Sequence, residues 1–312
     1  MRYGFYCPTR GGCATAEAVE AILAKGEALG FTSTMIADHI VFPTRIASRY
    51  PYTVNGDFPG GGDALDQLSL LAFAAGRTRA LRLVTSVMIV PHRNPVLTAK
   101  MLATIDVLSR GRVTVGIGVG WLREEFEALG AADFGRRGAV SDEYIRIFKT
   151  LWTQSPASFE GEFYRFAPLT CLPQPLQKPH PPIWIGGHSP AALRRVARLG
   201  DGWHPVGGIA AVPLRPAAMR ASLDELRRLT EKEGRDFSKL TISFKTPLYD
   251  GEIKDPEGRR PFSGGPDQIL EDVDAYARLG VSELIFDCRT ERLDQSLERL
   301  ERFAALVKPR RS

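Results

Sequence analysis

Pro182-Ile183-Trp184-Ile185-Gly186-Gly187-His188-Ser189-Pro190, continued by Ala191 to Leu199 and then Gly200-Asp201-Gly202-Trp203-His204, is the stretch that decides the fold. A short β-type apolar run meets two glycines, after which Ser189 supplies an N-cap and Pro190 a first helical position. The segment reads as strand, tight turn and helix start. Backbone N–H groups left free at such a start, beside glycines that admit close approach, form a ready anion site, with phosphate the common guest. An ordinary βα turn is the competing reading, and the loop alone leaves the two level.

The same unit recurs on both sides of this stretch. Upstream, Tyr3 to Tyr6 reads as a strand, Val19, Ile22, Leu23, Gly26 and Leu29 recur at helical spacing, and Phe31 to Ala37 forms a second strand. A Pro/Gly-rich excursion from Pro43 to Gly62 precedes a helix over Leu65 to Ala75, a third strand over Leu81 to Val90 and a helix from Pro95 through Leu108. Val113 to Ile117 is the fourth strand, followed by a short helix over Leu122 to Leu129 and a longer one marked by Val140, Tyr144, Ile147, Phe148 and Leu151. Ser158 to Phe166 has the look of a β-hairpin inserted before the strand of the opening stretch. Downstream, Asp201 to Pro205, Leu240 to Thr246 and Val281 to Phe286 are strands six to eight, alternating with helices over Leu214 to Glu233, Asp267 to Leu279 and Leu293 to Val307. Eight β-then-α units without a composition break predict a single α/β domain over residues 1–312, a (β/α)8 TIM barrel with an insertion β-hairpin and an extended loop after strand 2. A doubly wound sheet is the runner-up, weakened by the strand count and by the absence of G-x-G-x-x-G after strand one.

Composition bounds the class. The 312 residues are 44% hydrophobic and 25% charged, as in a globular protein of enzyme size with ample core. The net charge of +5 comes from 41 basic residues interleaved with 36 acidic ones, so a solvated surface explains it better than a nucleic-acid stripe. Cys7, Cys13, Cys171 and Cys288 lack CxxC spacing and are too few for a disulfide framework at this size, so reduced thiols are expected. The start, Met1-Arg2-Tyr3-Gly4-Phe5-Tyr6, is already strand-like with no long apolar segment behind it; a cytoplasmic protein without membrane or nucleic-acid partners is expected.

Barrel active sites form on loops after the C-terminal ends of the strands. Those ends are Cys7-Pro8, Asp38-His39, Ser86-Val87, Gly118-Val119-Gly120-Trp121, Gly186-Gly187-His188, His204, Lys245 and Asp287-Cys288. Asp38-His39 is the sharpest pair, because histidine titrates near neutrality and an adjacent carboxylate can share polar work on one ligand; a structural pair bonding loop backbone is the plainer reading. No HxH or HExxH spacing points to a metal, and no G-x-S-x-G elbow to a nucleophile. The glycine run Gly116-Ile117-Gly118-Val119-Gly120 admits a flat ligand or tight packing equally well. Glu124 and Glu125 follow, where a solvated helix face is the default and contact with a ligand hydroxyl the bolder reading.

Ala37-Asp38-His39, Thr85-Ser86-Val87 ahead of Pro91-His92-Arg93-Asn94-Pro95, the block Ala99 to Gly130, and Pro173-Gln174-Pro175 through Ile185-Gly186-Gly187 to Gly200-Asp201-Gly202-Trp203 together resemble the bacterial luciferase-like monooxygenase superfamily. Within it, the chain is most similar to the coenzyme F420-dependent branch. The resemblance covers nearly the whole chain and implies a barrel that binds a flavin or 5-deazaflavin on its C-terminal face, commonly as a homodimer. It places Asp38 and His39 at the cofactor's reactive ring as the catalytic pair, and Ser86-Val87 at a non-prolyl cis peptide bulging behind that ring. Gly186, Gly187 and His188 match the segment whose backbone holds the phosphate. Glu124 falls where relatives set a polar residue against the ribityl chain, and Gly118 joins the cofactor-binding set. Trp121 departs from the pattern, since some F420 enzymes carry a catalytic glutamate there; it implies an apolar pocket wall, with the loop Arg45 to Gly62 as lid.

The function so implied is hydride transfer between coenzyme F420 and a small organic substrate. The alternative is an FMN-dependent monooxygenase fed by a partner reductase, and a third reading is a flavin-binding protein without turnover.

Overall fold

Short, largely buried strands alternating with helices close into a parallel barrel, seen in a computed structural model that describes residues 1–60 and 62–308. Gly61, within the predicted lid, and the last four positions of the predicted domain lie outside the described residues. The barrel strands are β1 Arg2–Tyr6, β2 Ser33–Ile36, β3 Arg82–Thr85, β4 Val113–Gly118, β5 Ile183–Gly186, β6 Gly202–His204, β7 Thr241–Pro247 and β8 Glu283–Asp287. Each pairs in parallel with the next, and β8 returns to β1 with Arg2 beside Glu283 and Phe5 beside Phe286. Closure leaves the ring without a free edge. Tyr6, Met35, Val84, Trp184 and Ile285, drawn from five strands, fill its interior, while the larger core lies between sheet and helices.

The helices are α1 Ala16–Ala28, α2 Gln67–Arg77, α3 Pro95–Leu108, α4 Arg123–Ala128, α5 Arg137–Thr153, α6 Pro190–Leu199, α7 Pro216–Lys232, α8 Pro266–Arg278 and α9 Leu293–Val307. Their starts follow the sequence signals. Asn94 accepts from the N–H groups of Val96 and Leu97 ahead of Pro95, and Ser189 accepts from that of Ala192 ahead of Pro190. No described helix is long and apolar enough to cross a membrane.

Three local differences from the sequence reading stand out. The third strand is not continuous: it stops at Thr85, passes the cis Ser86–Val87 peptide that the family resemblance implied, and resumes at Met88–Ile89, which pairs with the end of β4. An apolar run cannot signal such a break, because Val87 is as β-prone as its neighbours. The hairpin pairs Ala157–Glu160 with Arg165–Leu169, so its second arm runs past Phe166. Its turn is pinned to α5 by the buried Glu143 carboxylate, which accepts from the N–H groups of Glu162, Phe163 and Tyr164 at 2.7, 2.9 and 2.7 Å. A second hairpin, Lys254–Asp255 with Gly258–Arg259, is too short to show any alternation.

Candidate active site

A cavity of about 740 Å³ opens over the C-terminal ends of the strands, a size suited to a cofactor-scale ligand. Its two ends differ in chemistry. One end is built by the loops after β4 and β5, the other by the ends of β1, β7 and β8 under the loop that follows β2.

At the first end, the Val87 side chain stands among glycines. A Cβ on Gly118 would lie 2.5 Å from Val87 Cγ2, and one on Gly186 would lie 2.8 Å from Val87 Cγ1. A Cβ on Gly116 would strike the Thr85 carbonyl at 2.0 Å. These glycines are therefore required by the strand break packed against them, and tight packing explains the run better than ligand approach. Gly187 is different: φ is +82° and the space beyond it is open, with Ala192 Cβ the nearest atom at 3.5 Å from a built Cβ. That turn delivers the N-terminus of α6 to the cavity, where Ser189, Ala191 and Ala192 line the wall with Arg137 and Arg195. Free N–H groups, the positive end of the helix dipole and the Arg137 guanidinium fit a phosphate, with Arg195 alongside but already held by Asp142 and the Gly138 carbonyl. His188 is not a lining residue; its Nδ1 is buried without a protein partner, and burial pushes its pKa down.

Asp38 and His39 follow β2 and both line the cavity, but their side chains part. The Asp38 carboxylate accepts both Arg93 terminal nitrogens at 2.7 Å and the Ile89 N–H at 2.8 Å, so it clamps the resumed third strand. His39 Nδ1 lies 2.8 Å from the Glu125 carboxylate. Glu125 is wholly buried and also accepts the N–H of Ile40 at 2.7 Å and that of Val41 at 3.3 Å. Burial opposes its charge, yet the bond to His39, the charges of His39 and His92, and the Ile40 N–H hold its carboxyl below the ordinary range. With Nδ1 so engaged, Nε2 is the imidazole nitrogen left for a ligand.

Glu124, the neighbouring residue on α4, does not line the cavity. Its carboxylate accepts the N–H of Ala47 at 2.6 Å, the N–H of Ser48 at 3.0 Å and the Ser48 hydroxyl at 2.7 Å. Burial opposes ionisation there too, but the Ser48 hydroxyl and these N–H groups lower its pKa to about 2. The two glutamates thus hold both ends of the segment from Ile40 to Ser48, and neither is the solvated face expected of them.

The loop beyond carries an aromatic wall. Tyr50 meets Trp121 at 4.9 Å between centroids and Tyr52 at 5.4 Å, while Phe58 lies 5.4 Å from Trp121. Trp121 approaches His39 edge-on at 6.0 Å. Tyr6, Lys245, Asp287 and Arg289 line the second end. Behind the Ser86–Val87 break, His204 bridges the hydroxyls of Ser86 and Ser243 at 3.1 Å each, and burial pushes its pKa down to about 3. It is a buried structural histidine.

The structure therefore brings Asp38, His39, Ser86, Val87, Gly118, Gly186 and Gly187 to one cavity and leaves Glu124 and His188 behind its wall. Sequence reasoning missed Tyr6, Arg93 and Arg289 as lining or clamping groups. Tyr6 ends β1 and Arg289 lies two residues past β8, so reading one residue further around each strand end would have found both. Among the described residues no cluster of His, Cys, Asp and Glu is arranged to hold a metal ion, and all four cysteines are free and buried.

A closed parallel barrel with its cavity over the C-terminal ends of the strands defines an enzyme-type scaffold. Residues 1–255 match the luciferase-like monooxygenase family, and the chain belongs to that family. It is 36% identical over 254 residues to an uncharacterized protein of Mycobacterium tuberculosis, covering 77% of this chain and 85% of the relative. It is 37% identical over 159 residues to the FMNH2-dependent dimethylsulfone monooxygenase of Pseudomonas putida, covering 50% of this chain and 42% of that protein. Among solved structures, an F420-dependent secondary alcohol dehydrogenase bound to an F420–acetone adduct superposes with a TM-score of 0.77 at 15% identity, covering 100% of this chain and 99% of that one.

Proposed function

We propose that this chain is an oxidoreductase that passes a hydride between coenzyme F420 and a small organic substrate. The observation that carries this reading is the His39–Glu125 pair, in which a buried carboxylate orients an imidazole at the cavity wall beside an aromatic lid. When bound, the 5-deazaflavin supplies a two-electron hydride donor or acceptor. Glu125 fixes the tautomer and orientation of His39, which gives or takes the accompanying proton at Nε2. The start of α6, with Arg137, would hold the cofactor's phosphate, and Val87 would back its ring. Tyr50, Phe58 and Trp121 exclude water from the reacting end.

A second reading, an FMN-dependent monooxygenase served by a reductase, is supported by the identity to the dimethylsulfone enzyme across half of this chain. Side-by-side titration of the purified protein with F420 and FMN, followed by absorbance and fluorescence, separates the two. The expected outcome is F420 affinity at least about tenfold tighter than that for FMN, with anaerobic turnover. Tight FMN binding with oxygen consumption would transfer the assignment to the monooxygenase, and binding of neither would sink both. A homodimer belongs to the same proposal, with exposed Leu97, Leu108, Leu172 and Leu176 as apolar surface available to it; light scattering reads that state.

A further inference from the structure

The second end of the cavity holds a cation that no carboxylate contacts among the described residues. Lys245, on β7, donates from Nζ to the Tyr6 hydroxyl at 2.5 Å and lies 5.0 Å from the centre of that ring. On the same ring, at 4.6 Å, sits the Arg289 guanidinium. Asp287 is the nearby carboxylate, but it is engaged by Arg289 through two bonds of 2.7 and 2.6 Å. Among the described residues no carboxylate stands within ion-pair distance of Nζ, and Arg10, also lining the cavity, adds a further positive charge over Phe58 at 5.2 Å. An ammonium has three donors, and a charge taken from water is ordinarily matched by an opposite one. Tyr50, Tyr52 and Trp121 line the same cavity, with Tyr50 packed on both of the others.

We propose that the substrate pocket takes an organic oxyanion with an aromatic or extended apolar body, its carboxylate or equivalent group seated on Lys245 and its body against Tyr50, Tyr52 and Trp121. This rests on reading the cavity as the substrate site of an oxidoreductase. The shared chemistry is an anionic oxygen group in a half-buried cationic niche, and it has two sources: the substrate, which we favour, or an acidic group of the cofactor. The phosphate-type cradle lies on α6, after β5, whereas Lys245 stands on β7 with Tyr6 of β1, whose hydroxyl is 3.3 Å from Ser86 Oγ at the strand break, which puts the niche beside the ring-backing segment and away from the cradle's own helix.

Phenylacetate and its neutral counterpart phenylacetamide serve as probes, titrated against the intact protein by tryptophan fluorescence. Parent, Lys245→Met and Lys245→Arg are compared, each alone and with F420 or FMN present. Phenylacetate is expected to bind the parent about tenfold or more tightly than the amide, as a charge-assisted hydrogen bond warrants. The preference should vanish in Lys245→Met, persist in Lys245→Arg and leave cofactor affinity unchanged. Equal binding of acid and amide to the parent, or no saturable binding of phenylacetate, overturns the proposal without any variant. So does a preference that survives Lys245→Met, or a Lys245→Met variant that loses cofactor affinity about tenfold while the cofactor displaces phenylacetate from the parent. A protein that prefers the acid yet binds neither cofactor would sink the oxidoreductase reading and keep this site.

Discussion

His39 carries its assignment through the division of labour between its two nitrogens: Glu125 holds one, and the other is left for the ligand. Removing the imidazole takes away a proton donor or acceptor, not a wall of the cofactor site. His39→Ala should therefore cut turnover by about 10²–10⁴-fold, while cofactor affinity stays within about tenfold of the parent. Steady-state rates and equilibrium titration of one preparation test both halves; a fully active variant would demote His39 to a structural residue. Asp38 belongs elsewhere, because its three accepted bonds leave it as a clamp on Arg93 and Ile89. The adjacent letters Asp38-His39 disguised this, since two residues past a strand end point different ways once the chain turns.

The loop after β5 and the start of α6 form the element from which the phosphate reading arose. Gly187 has φ of +82°, a conformation that costs most side chains strain but that asparagine tolerates better. Gly187→Asn and Gly187→Asp therefore share nearly the same backbone cost and shape and differ in charge. The aspartate variant should bind the phosphate-bearing cofactor about tenfold more weakly than the asparagine variant, with the gap narrowing in high salt. Equal affinities would mean that this loop is only a turn. Elements of this kind were legible in the sequence because caps, glycines and periodicity are local: α3 and α9 begin and end where their residues predict. The break at Ser86–Val87 and the burial of Glu125 were not legible from pattern alone. Both depend on what another strand or loop sets against them, and α4 read by itself is a polar helix with every sign of facing water.

Across the molecule, several buried or anchored groups share one direction of pH response. His92 and His204 are pushed by burial from 6.5 to about 4 and about 3, and Glu124 is held at about 2 against 4.5. Each folded pKa lies below its unfolded value, so each group's contribution is fully present above that unfolded value and is lost as pH falls toward the folded one. The histidines set the upper part of the window, from about pH 6.5 downward, and Glu124 the lower part, from about 4.5 to about 2. Tm followed by calorimetry should decline progressively below pH 6.5, before most carboxylates titrate; a flat Tm between pH 6.5 and 4.5 would show that the buried histidines carry no such linkage. The lid should loosen last, when Glu124 gains its proton and releases Ala47 and Ser48, which hydrogen exchange of those two amides reads.

Glu124 and Glu125 stand side by side on one turn of α4, yet one tethers the lid and the other steadies the imidazole. The loop is therefore moored at its root like a drawbridge whose hinge pins share a single pier with the machinery it shelters. Residues between Arg49 and Gly60 bear on neither mooring, although Tyr50 and Phe58 among them pack on Trp121 and Phe58 also lies 5.8 Å from His39. A change to either mooring alters admission and chemistry together, so new specificity in this scaffold is most readily written in the span and not at its footing.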